Sequence, residues 1–162
     1  MNATRALWFL CVFALLVALH YTLRPMLAWR ASIDFLVIAL LLVSVRSRPG
    51  VAAIAGLAIG IMADSLTPGA FGAGALSMTL VGFSASWLKA AFFADNLALN
   101  GMFVFLGKWA CDVLYLVAER RVHGGDFLVQ AILWSPLAAA VTAVVGLVVL
   151  TLVRPVLGAP RA

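Results

Sequence analysis

Six apolar runs follow one another along the chain, at about 6–23, 31–45, 51–66, 75–88, 97–118 and 127–153, with charged residues concentrated in the short connections. Such runs admit few folds, because each must be buried in protein or in hydrocarbon along its whole length. The composition decides between the two. Of 162 residues, 65% are hydrophobic and 10% charged, against about 45–50% and 25% in an ordinary soluble domain. Too few polar side chains remain to coat a water-facing surface. The sequence therefore predicts one all-α polytopic membrane domain over 1–162, a compact bundle of about six transmembrane helices.

The connections carry turn chemistry. Arg46-Ser47-Arg48-Pro49-Gly50 closes the second run, and the stretch from Thr67 to Gly74, which contains Gly69, Gly72 and Gly74, has too much flexible backbone for a continuous helix. An outward turn or re-entrant segment over 67–74 is expected there. Glu119 to Asp126 is the most polar stretch and reads as a loop, while Pro136 predicts a kink in the last helix. The first run resembles a signal peptide in charge and length, yet no small-x-small site follows it, so it reads as an uncleaved helix.

With six spans both termini share a side. That side holds Arg5, Arg46, Arg48, Lys89, Arg154 and Arg161, against Arg24, Arg30, Arg120 and Arg121 on the other. The positive-inside rule then puts both ends in the cytoplasm. The net charge of +5 reads as topology and anionic-lipid contact rather than nucleic-acid binding. Cys11 and Cys111 lie in apolar runs and read as small buried residues. His20 and His123, one at a helix end and one in a loop, read as interfacial polar groups, so neither a metal site nor a cofactor is expected.

Four ionisable side chains fall inside the runs: Asp34, Asp64, Lys108 and Asp112. Each costs about 2.5–3.5 kcal/mol at a helix centre on insertion scales, so they should face protein or a wet cavity. At about 1.5 Å per residue, Asp34 falls near the outer boundary of helix two, and Asp64 and Asp112 about 20–22 Å from the inner boundaries of theirs. Lys108 lies near the midplane and needs a partner. Asp112 follows it by one helical turn and Asp64 sits on another helix; Asp64 is preferred, because lysine before acid is the weaker order within one helix. Ala52, Gly56 and Gly60 recur every fourth residue ahead of Asp64 and form a small-residue face for close helix packing or a partner.

Enzyme signatures are sparse. Ser86-Trp87-Leu88-Lys89 matches S-x-x-K without the companion motifs. A pair of the intramembrane aspartates could form a proton-sharing hydrolase dyad, but a nearby lysine opposes the sharing. No enzyme is expected.

From Ile33 to Phe93 the chain resembles MreD, the small integral-membrane subunit of the bacterial rod-shape machinery. The resemblance rests on Asp34 opening helix two, on Arg46 to Gly50, on Gly-Leu-Ala-Ile-Gly-Ile-Met-Ala-Asp from Gly56 to Asp64, and on Phe-Gly-Ala-Gly-Ala-Leu from Phe71 to Leu76. It implies a non-enzymatic inner-membrane partner of MreC, a single-span protein, that helps link peptidoglycan synthases outside to MreB filaments inside. Self-association is left open, and no nucleic acid is implied. The resemblance also implies a fold similar to the substrate-binding subunits of energy-coupling-factor transporters, which makes a small-solute-binding subunit the alternative.

Overall fold

The computed structural model describes residues 3–26, 33–65, 70–92, 96–119 and 124–157. These residues form six helices and, among themselves, no strand. They are α1 (Ala3–Met26), α2 (Phe35–Arg46), α3 (Pro49–Ser65), α4 (Ala73–Phe92), α5 (Leu97–Glu119) and α6, which begins as Gly125–Val129, passes through a π-helical turn at Gln130–Trp134 and continues as Ser135–Leu157. The described fold is all-helical. Two stretches, Leu97–Glu119 and Gly125–Leu152, are long and apolar enough to cross a membrane; Leu10–Leu23, Phe35–Arg46 and Pro49–Ser65 are shorter apolar helices.

α2 is the centre of the bundle. Phe35 to Leu42 are all buried, as expected of a run that is apolar on every side, and α2 touches α1, α3, α4, α5 and α6. Both core clusters are built on it: one joins Leu36, Leu40 and Leu41 to Ile59, Met78 and Phe103, the other joins Phe35, Ile38 and Leu42 to Leu16. The helix begins at residue 35 rather than 31 because Asp34 caps it, its Oδ1 accepting from the N–H groups of Leu36 at 3.2 Å and Val37 at 3.4 Å. Twelve residues span only about 18 Å, well short of a hydrocarbon core. At the other end Ser47 is extended, and Pro49 opens α3, two residues before the predicted start.

α3 and α4 approach backbone to backbone. A Cβ at Gly56 would overlap the Met78 carbonyl, one at Gly60 would overlap the Ala75 backbone, and one at Gly82 would stand 2.7 Å from the Ala52 carbonyl. The small-residue face formed by Ala52, Gly56 and Gly60 is therefore covered by α4 within the chain.

Just before Pro136, where the sequence predicts a kink, the helix passes through the π turn. Ser135 N–H bonds the Gln130 carbonyl, five residues back, so the carbonyl of Ala131 loses its usual α-helical donor. The next donor in π register would come from Pro136, which has no N–H. The indole of Trp109 takes its place, donating to Ala131 O at 3.0 Å, and so ties α5 to α6.

Large apolar side chains stand exposed on all five outer helices: Leu10 on α1, Ile54 on α3, Phe83 on α4, Met102 on α5, and Ile132 and Val144 on α6. Cys111 is buried, as expected, but Cys11 is exposed on this apolar exterior.

Candidate functional site

The helices alternate in direction. The second half of α1, the start of α2, the end of α3, the start of α4 and the second half of α5 therefore meet toward one end of the bundle. Three of the four ionisable side chains of the apolar runs join there. Lys108 Nζ lies 3.1 Å from Asp34 Oδ2 and 2.5 Å from Asp112 Oδ1. Asp34 also faces His20, whose Nδ1 is 3.4 Å from Asp34 Oδ1, and its backbone N–H donates to Thr142 Oγ1 of α6 at 3.3 Å. Asp34 thus serves as helix cap and ion-pair partner, its carboxylate joining α1, α2 and α5 and its backbone N–H reaching α6.

Asp64, the partner preferred for Lys108 from the sequence, is engaged elsewhere. Its carboxylate accepts from the backbone N–H groups of Gly72 at 2.9 Å, Gly74 at 3.1 Å and Ala75 at 3.0 Å. It caps α4 from the end of α3. The reason is local: the glycine stripe brings α3 against α4 and delivers the carboxylate to the unpaired donors of the first turn. Glycine is required on the other side of the contact. Gly72 has φ +99°, and a Cβ at Gly74 would collide with the Asp64 carboxylate. Gly69 and the rest of 66–69 lie outside the described residues, as do 120–123 of the polar loop, His123 among them.

Asp64→Asn should weaken this joint, because an amide offers one oxygen where three donors converge on two. The expected loss is about 1–3 kcal/mol, read as a lower unfolding midpoint in detergent together with faster amide exchange at Gly72 to Ala75. Unchanged protection of those amides would refute the capping role.

The charged groups line a cavity of about 160 Å³, with Asp34, Asp64, Lys108 and Asp112 joined by His20, Ser77, Cys111 and Tyr115. Asp34 stands at the start of α2, where the sequence reading has it, and its carboxylate meets the ammonium of Lys108, which comes from the middle of α5. One sequence expectation is corrected. His20 is not interfacial but 3% exposed, because α1 continues to Met26 and places the ring inside. Its position one turn after the buried Leu16 was the available signal.

Ser86 and Lys89 of the S-x-x-K match both donate to the Ser47 carbonyl, at 2.6 and 2.7 Å. They fasten α4 to the α2–α3 connection at the end of the bundle opposite the cavity. Asp34 and Asp112 are bridged by a cation rather than set against each other. Among the described residues no group of His, Cys, Asp and Glu has the arrangement of a metal site.

No family model, curated protein or solved structure matches this chain.

Proposed function

We propose that this chain is a non-enzymatic, multi-pass assembly subunit of a bacterial inner membrane, of the MreD kind. In this role it binds a single-span MreC-like partner and helps couple peptidoglycan synthases outside to MreB filaments inside. The observation that carries the reading is the division of labour between interior and exterior. The costly charges are turned inward onto one another and onto helix N-termini, while the faces of the five outer helices present apolar side chains. A chain of this build meets its neighbours through helix faces and short connections.

Helix lengths are compatible with several crossings. α1 and α4, of 24 and 20 residues, extend about 36 and 30 Å, and the short α2 is sheltered inside the bundle. Arg46, Arg48 and Lys89 share the end where Lys89 meets Ser47, and the positive-inside rule places that end in the cytoplasm. The cavity then belongs to the outward half. The lysine between Asp34 and Asp112 speaks against a proton-sharing hydrolase dyad.

Affinity purification of the tagged chain from mild detergent, followed by identification of co-purifying membrane proteins, tests the proposal. The expected result is stoichiometric recovery of a single-span protein with a large external domain. Recovery of the chain alone, or with the energising subunits of a transporter, would overturn it.

A further inference from the structure

The end of the bundle opposite the cavity is basic. Arg46, Arg48 and Lys89 share it, and the Lys89 ammonium is held on the Ser47 carbonyl at 2.7 Å, with Arg48 the next residue along. Against these cations the sequence brings one acid to this end, Asp95 in the α4–α5 connection, so the end stays positive. Among the described residues no carboxylate pairs with Arg48 or Lys89. Two cations held together without a counter-charge favour a shared anion. The place is open to one: Arg48 is exposed, and a Cβ at Gly50 would meet no atom within 4 Å.

An apolar groove reaches the same end. About 190 Å³ in volume, it lies between α4 and α5 over Leu41 of α2, with Leu80, Ser84 and Leu88 on one wall and Phe103 and Leu106 on the other. Leu80, Leu88 and Leu106 are exposed, so the groove opens on the apolar exterior of the bundle. Leu88, its last residue on α4, directly precedes Lys89. A phosphate at the cations and an acyl chain in the groove can therefore belong to one molecule. A free anion would use the charges alone, and a partner helix the groove alone.

We propose that Arg48, Lys89 and the α4–α5 groove form a binding site for an anionic phospholipid of the cytoplasmic leaflet, its phosphate at the two cations and one acyl chain along Leu88 and Ser84. Charge complementarity selects the anionic class, because a zwitterionic headgroup brings its own ammonium and leaves the excess in place. The site depends on the chain lying in a bilayer and not on the identity of its protein partner, so lipid retention and partner recovery are separate measurements.

The test is native mass spectrometry of the full chain in detergent, titrated with phosphatidylglycerol, with phosphatidylcholine of the same acyl chains, or with inorganic phosphate. Phosphatidylglycerol is expected to give a single-lipid adduct, roughly tenfold tighter than that of phosphatidylcholine. Arg48→Gln combined with Lys89→Gln should weaken it about thirtyfold, at roughly fivefold for each charge near a membrane surface. Arg120→Gln with Arg121→Gln removes the same net charge from the α5–α6 connection and should change retention by less than about twofold, since charges that far away are screened. Ser84→Phe fills the groove with every charge in place and should weaken the adduct about tenfold by excluding the acyl chain. Equal retention of the two lipids, equal losses in the two double variants, retention untouched by Ser84→Phe, or displacement of the lipid by inorganic phosphate would each overturn the site.

Discussion

Lys108→Met is expected to remove about 3–5 kcal/mol of stability, the range found when one member of a buried ion pair is deleted and its partner stays. The ammonium, 7% exposed, is shared by two carboxylates on different helices, so the substitution strands both. Asp34 keeps its bonds to the α2 N-terminus, whereas Asp112 loses a 2.5 Å contact with the cation one turn before it. The unfolding midpoint in detergent should fall steeply. Adding Asp34→Asn and Asp112→Asn to Lys108→Met should recover most of the loss, since removing a charge set together costs far less than leaving it half-made. Lys89→Met provides the contrast: it deletes a single hydrogen bond to the Ser47 carbonyl and should cost about 1 kcal/mol. A Lys108→Met protein as stable as the parent would show that the cluster is not the joint between α2 and α5.

How much of this joint the sequence displays depends on which interaction sets each position. The charges themselves are conspicuous, since four ionisable residues in apolar runs stand out by cost alone. The pairing is not, because it follows from where α2 starts. Hydropathy runs on unbroken through Ala31, Ser32 and Ile33, and only the cap geometry of Asp34 reveals that the described helix begins after it. That shift of a few residues makes Asp34 the cap of α2, and the same carboxylate meets the Lys108 ammonium at 3.1 Å. The role of Asp64 is hidden for a related reason: charge counting sees the ammonium but not the backbone donors of Gly72, Gly74 and Ala75, which have no signature beyond the glycines. His20 is hidden by the convention that polar residues end a span, although α1 continues to Met26. The glycine stripe is legible because its period of four is a property of the helix itself. What period cannot say is which surface covers the stripe, and α4 does so in this chain.

Gly56 marks the position where the smallest addition should do the greatest damage to packing. A Cβ there overlaps the Met78 carbonyl and stands 3.0 Å from the Thr79 Cα. Both are backbone atoms that no rotamer change can move aside, so α3 and α4 must separate along their length. Gly56→Ala is expected to cost about 2–3 kcal/mol by overpacking, and Gly56→Leu to leave no folded protein in detergent extracts. Damage should extend two turns onward: Gly56, Gly60 and Asp64 lie on one face, so splaying the pair draws the Asp64 carboxylate away from Gly72, Gly74 and Ala75. Faster exchange of those amides in Gly56→Ala is the distinguishing sign of a hinge opening rather than local strain. Gly50→Ala is the control in the same helix, since nothing lies within 4 Å of its would-be Cβ and alanine is the better helix former by about 0.5–1 kcal/mol. A monodisperse, stable Gly56→Leu protein would mean that the two backbones are not in contact, and with that the placement of Asp64 on the first turn of α4 would fall.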